Sequence, residues 1–119
     1  MPLEGPALTS TGETTVMLRA ANGSSAAAIA GHVTMAMAAA AGFAPLLAER
    51  ARASLAQALC ACAGAVELGL AAEPGLLTAR IRAAPEQLAA MGMVLAELAP
   101  ERVDDRLELR FVRPQLDVV

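Results

Sequence analysis

Between Arg52 and Glu67 the chain carries no charged residue. From Leu55 the apolar residues of this stretch follow helical spacing, and from Ala58 to Val66 every side of the helix is apolar. A segment with nothing charged to turn toward water has to be enclosed, so other parts of the chain must supply a layer on each side of it. The same poverty limits chemistry. Proton transfer and hard-cation binding need oxygen or imidazole groups, and the side chains from Ala58 to Val66 provide neither. The helix is expected to begin at Pro45, where a missing amide donor costs nothing, and to run to Leu68 with Gly69 as its stop. Glu49, Arg50, Arg52 and Gln57 make its first half amphipathic, which predicts a half-exposed start and an enclosed end.

The remaining composition sets further bounds. A chain of 119 residues is long enough for one domain with a single core, expected over residues 12–119 behind a loose leader over residues 1–11 containing Pro2, Gly5 and Pro6. Phe43 and Phe111 are the only aromatic residues, so the core is built from Ala, Leu, Val and Met, and alanine faces let helices approach closely. All nine basic residues are Arg, which excludes a catalytic lysine. A net charge of −3 with interleaved arginines argues against a nucleic-acid surface. Cys60 and Cys62 would point about 200° apart on a helix, at roughly 100° per residue, so they cannot bridge there; buried, reduced thiols in a cytoplasmic protein are expected. Two Cys and one His fall short of a structural zinc set. Glu4 and the lack of a basic run speak against a secretory signal. Ala26 to Phe43 is nearly uncharged but Ala-rich, with Gly31, His32 and Thr34 inside it, and reads as a buried helix rather than a membrane span.

Periodicity supplies the order of elements. Thr14 to Ala20 reads as a strand, Asn22-Gly23 as a turn, and Ser24 or Ser25 as the cap of a helix reaching about Ala41, with Ile29, Val33 and Met37 as its stripe and Gly42 as its stop. After the turn Glu73-Pro74-Gly75, the residues Leu77, Ala79, Ile81 and Ala83 alternate with Thr78, Arg80 and Arg82, which marks a strand with one dry face. Leu88, Met91, Leu95 and Leu98 return to helical spacing from Glu86 to Leu98. Leu107, Leu109 and Phe111 alternate with Arg106, Glu108 and Arg110 before Pro114. The expected fold is α+β, a small mixed or antiparallel sheet with helices packed on one face, in the order βααβαβ.

Several strings on this frame carry a resemblance. Cys60-Ala61-Cys62-Ala63-Gly64-Ala65-Val66 stands at the end of the second helix, Ala40-Ala41-Gly42-Phe43 lies between the first two helices, and Met91-Gly92-Met93-Val94-Leu95-Ala96-Glu97 precedes the last strand. Over Thr14 to Arg113 they resemble the anti-sigma factor serine kinases of bacterial partner-switching systems, which share the ATP-binding fold of histidine kinases, gyrase and the Hsp90 chaperones. The resemblance implies that Leu77–Ala83 and Arg106–Arg113 share one sheet. It also implies a nucleotide site, and there the chain departs from the family. Cys60 stands at the position of the family's general base, and Gly64 at that of its magnesium-binding Asn. No Asp-x-Gly-x-Gly string lies between Ile81 and Met91. Cys60, Gly64 and Gly92 are thus the positions of a degenerate cofactor site, with no cofactor, metal or catalytic residue expected.

A non-catalytic regulatory protein follows, one that works by binding a protein partner, forms a homodimer, and engages neither nucleic acid nor membrane. A functional ATP-binding anti-sigma serine kinase and an unrelated small α+β scaffold stand as alternatives. The candidate partner surfaces are the methionines Met35, Met37, Met91 and Met93, since spacing of two puts one of each pair off the core stripe and Met adapts well to partners, and the strand arginines Arg80 and Arg82, with Arg106 and Arg110 beside them, which suit an acidic partner. The lone His32 has no acid beside it in sequence and reads as structural. Asp104-Asp105 reads as turn chemistry.

Overall fold

The computed structural model describes residues 14–113; the leader expected over residues 1–11 lies outside them. The elements run β1 (Thr14–Ala20), α1 (Gly23–Ala40), α2 (Pro45–Cys60), β2 (Val66–Glu73), β3 (Leu76–Ala83), α3 (Pro85–Val94), a 3-10 turn over Ala96–Leu98, β4 (Glu101–Val103) and β5 (Arg106–Val112). All five strands form one antiparallel sheet in the order β1-β2-β3-β5-β4. The helices pack against one of its faces. The fold is α+β with helices on one face, as expected, and β3 and β5 are direct neighbours. Among the described residues there are two more strands than expected, β2 and β4.

β2 replaces the anticipated end of the second helix. α2 stops at Cys60 rather than Leu68, and Val66, Leu68, Leu70 and Ala72 alternate instead as the buried face of a strand. The physical reason lies in the turn that follows. Pro74-Gly75 closes a two-residue hairpin onto β3, pairing Glu73 with Leu76 and Val66 with Ala83, and a tight hairpin demands a strand on both sides. Burying a period-two face against the helices outweighs the helix propensity of an Ala-rich run. β4 is a three-residue edge strand folded onto β5 through Asp104-Asp105, with Asp104 at φ 51°, a left-handed conformation that Asp tolerates.

The core sits between sheet and helices. The register sets Leu68 opposite Ile81 and Ile81 opposite Leu107; one step on, Leu70 faces Ala79, and Ala79 faces Leu109. All of these are buried. Above them α1 and α2 lie side by side through Ala27, Ala30, Met37 and Ala38 on one helix and Ala48, Ala51, Leu55, Ala58 and Leu59 on the other. The packed stripe of α1 is therefore mostly alanine. Ile29, expected in that stripe, is 58% exposed, because close helix approach selects the small residues one position away.

Both ends of α1 are built by local hydrogen bonds. Asn22 is the cap, with its Oδ1 accepting from the Ser25 amide at 2.9 Å, so Ser24 and Ser25 lie inside the first turn instead of capping it. At the other end Phe43 N donates to Ala38 O and Gly42 N to Ala39 O, the paired closure of a Schellman motif. Gly42 takes the positive φ of 89° that this closure requires, and Phe43 is buried beside it. The Gly75 amide of the β2–β3 hairpin reaches the last carbonyl of this end, Ala41 O, at 2.7 Å. Among the described residues no helix is long and apolar enough to cross a membrane.

One polar group in this core is unmatched. Thr34 Oγ1, fully buried in α1, has no hydrogen-bond partner. A lost bond at a buried hydroxyl costs about 1–3 kcal/mol, and valine has nearly the same shape. Thr34→Val is expected to stabilise the fold by about 1 kcal/mol, read as a higher urea midpoint at unchanged slope.

Candidate functional site

Two places on the fold gather the residues singled out in the sequence. The first is the junction where α2 ends. Cys60 is the last residue of α2 and is exposed, whereas Cys62, in the connector to β2, is buried and donates its Sγ–H to Gly64 O at 3.3 Å. Only Cys62 is thus the buried thiol expected of both; Cys60 turns outward because the helix ends there. Gly64 is half-buried, and a Cβ on it would meet only Gln87 Cγ at 3.9 Å.

Gln87 defines this junction. It sits in the first turns of α3, which opens with Pro85 and carries Leu88 and Met91 inward to full burial. Its Oε1 accepts from the Ala63 amide at 2.8 Å, so the connector after α2 is tied directly to α3. Gly92, further along α3, has nothing within 4 Å of an added Cβ; no neighbour's bulk demands a glycine there. The magnesium–triphosphate group that the resemblance implies does not fit these residues. Magnesium takes hard oxygen ligands in near-octahedral geometry. Cys60 and Gly64 offer a thiol and no side chain, and α3 is hydrogen-bonded across the adjoining connector. Among the described residues no three His, Cys, Asp or Glu side chains gather as a metal centre would need.

The second place is the sheet face turned away from the helices. Across it one row runs Met17, Gly69, Arg80, Glu108 and the next Arg19, Glu67, Arg82, Arg106. Strand alternation brings Arg80, Arg82, Arg106 and Arg110 onto this single surface, which is the grouping the sequence suggested. Glu108 is 8% exposed and lies between Arg80 Nε at 3.1 Å and Arg110 Nη2 at 3.7 Å. Glu67 pairs with Arg19 Nε at 2.5 Å and Arg82 Nη1 at 3.7 Å. Each buried or half-buried carboxylate is therefore matched by two guanidinium groups, as a desolvated charge requires. Glu67 was not among the sequence candidates. Its place on an open face became readable only once β2 was known to be a strand.

The methionines divide. Met37 and Met91 are core residues, at 4% and 0% exposure, and their side chains offer no surface to a partner. Met35 is half-buried against the core and Met93 is 81% exposed, so the partner surface expected of all four reduces to these two. Met17, exposed on the open sheet face, adds a methionine that the sequence reading passed over. His32 is exposed on α1, in a shallow groove shared with Gly31 and Arg52. Neighbouring Arg52 is held by Glu49, which raises its pKa through a hydrogen bond and charge attraction.

Comparison of the chain with protein-family models and with curated proteins finds no match.

Proposed function

We propose that the chain is a non-catalytic interaction protein, acting by binding another protein on a reduced version of the kinase-like ATP-binding fold. The observation that carries this reading is the α2–α3 junction. A thiol and a bare backbone stand at Cys60 and Gly64, and Gln87 ties the connector to α3 at 2.8 Å. Phosphoryl transfer needs a base or positioning group and a metal held by oxygen ligands, and these positions supply no such group. What the fold does offer is surface. No described element packs across the arginine-bearing face of the sheet, and a persistent uncovered face with a few exposed apolar residues suits a partner.

Isothermal titration with ATP and magnesium tests the reading. No heat of binding is expected at nucleotide concentrations into the millimolar range, and magnesium-dependent micromolar affinity would overturn it in favour of an active kinase.

A further inference from the structure

On the open face of the sheet three arginines, Arg80, Arg82 and Arg106, gather around one depression. The chain as a whole has a net charge of −3. The four long strands direct Arg19, Arg80, Arg82, Arg106 and Arg110 to this face together with Glu67, Glu73 and Glu108, and β4 sets Glu101 opposite Glu108. The ion pairs show how far the carboxylates go. Glu67 is shared by Arg19 and Arg82, and Glu108 by Arg80 and Arg110, while exposed Asp105 reaches Arg82 at 3.8 Å. Among the described residues no ion pair is left for Arg106.

Arg106 is also badly placed if it has only structural work. It lies directly opposite Arg82 on the neighbouring strand, and like charges directly opposed across a sheet are destabilising. Its Nε is buried with no hydrogen-bond partner, although guanidinium donors are costly to leave unmatched. The two arginines flank a depression of about 220 Å³. Met17, Gly69 and Ala71 give it an apolar floor, Arg80, Arg82 and Arg106 supply donors at its side, and the one carboxylate in its lining, Glu67, is already paired with Arg19 and Arg82. Gly69 keeps the floor low, with the Met17 side chain lying 3.4 Å from where a Cβ would be.

We infer that this depression receives a carboxylate from an acidic segment of a partner protein, with an apolar side chain of the same segment on the Met17–Gly69–Ala71 floor. A guanidinium fork matches a carboxylate in shape as well as charge. A bound carboxylate would relieve the Arg82–Arg106 opposition, and a turn of the Arg106 side chain toward it would give the buried Nε a partner. Nucleic acid fits less well, because the face has no aromatic side chain for a base to stack on. This inference rests on the protein-binding reading above and names the chemistry of the partner.

The experiment uses the full chain and a short fluorescein-labelled peptide of repeated Glu-Leu-Glu-Ala units, followed by anisotropy. Micromolar binding that weakens as salt is raised is expected. A peptide with Gln in place of each Glu should bind about tenfold weaker or worse, a difference of about 1.4 kcal/mol. Arg106→Gln and Arg82→Gln should each lose about tenfold in affinity, and Arg106→Gln, which breaks no ion pair, should do so with a thermal midpoint equal to or above the parent's, a combination that a purely structural arginine would not produce. Arg50→Gln, on the exposed side of α2, should bind as the parent does. The inference is overturned by no binding of the acidic peptide, by equal binding of the Gln peptide, by parental affinity in both face variants, or by tighter binding of a single-stranded oligonucleotide. It is overturned equally by self-association of the chain that Arg106→Gln abolishes. A silent peptide beside a silent MgATP titration removes this face alone, whereas MgATP binding removes the wider reading.

Discussion

Replacing Gly23 with alanine is expected to cost at least about 3 kcal/mol of folding free energy, near the upper end for a single small substitution. Gly23 is the first residue of α1 and is buried where that helix meets the end of α2. A Cβ placed on it would lie 1.8 Å from the Leu59 carbonyl oxygen, 2.8 Å from the Leu59 carbonyl carbon and 2.9 Å from Cys62 Cβ. No rotamer relieves this, because the nearest obstacles are backbone. The Gly23 amide meanwhile donates to Cys62 O at 3.1 Å, so moving α1 away to make room would break the bond that joins the two helix ends. With total stability of roughly 5–15 kcal/mol for a domain of this kind, and about 4–8 °C of melting temperature per kcal/mol, circular dichroism should show the midpoint falling by more than about 12 °C. Gly92→Ala is the control: with open space around it, alanine there should hold or raise the midpoint. A Gly23→Ala chain melting within a few degrees of the parent would show that the contact between the two helix ends is not as tight as described.

The second large effect is expected from Leu77→Ala, at about 3–4 kcal/mol. Leu77 is fully buried on β3, at the centre of the sheet, opposite Ala72 on one side and Phe111 on the other. Two terms set the size: the transfer free energy of the removed isopropyl group, and the cavity left behind. The second is large here for a reason particular to this core. Ala72 and Ala79 are already as small as a side chain with a Cβ can be, and the register of three paired strands holds their backbones. On the β2 side of the hole only alanine borders it, so refilling would fall to Phe111 across on β5. Denaturant unfolding should show a lower midpoint at unchanged slope; a loss below about 1.5 kcal/mol would mean that the site collapses around the alanine.

The parts of the fold that could be read from sequence are those where one period dominates. β1, β3, β5 and the start of α2 follow from alternation or from Pro45, and the observed bounds agree closely with the reading. The run from Ala61 to Leu68, expected as helix, defeats sequence reading because Ala and Gly hide which period is in force. Val66, Leu68 and Leu70 alternate with Glu67 and Gly69 as a strand should, but Ala71, Ala72 and the alanines before Val66 are neutral between helix and sheet. Only the partner strand decides, and pairing across a hairpin is a tertiary fact. The exposure of Ile29, expected in the packed stripe, has the same origin, since the choice of alanines as that stripe is made by α2 lying close, not by α1 alone. On the surface, the arginine grouping was legible because strand alternation survives without knowledge of neighbours. Arg82 standing opposite Arg106 depends on register and was not.

The end of α2 has one more consequence, for measurement. Two thiols two residues apart differ completely in access to solvent, Cys60 standing outside and Cys62 inside against the core. An alkylating reagent will therefore mark the outer sulfur in the native protein, while the inner one waits for the junction to open. The ratio of singly to doubly labelled chains, weighed by mass spectrometry over time, converts this spot into a built-in clock for how often the helix end comes loose.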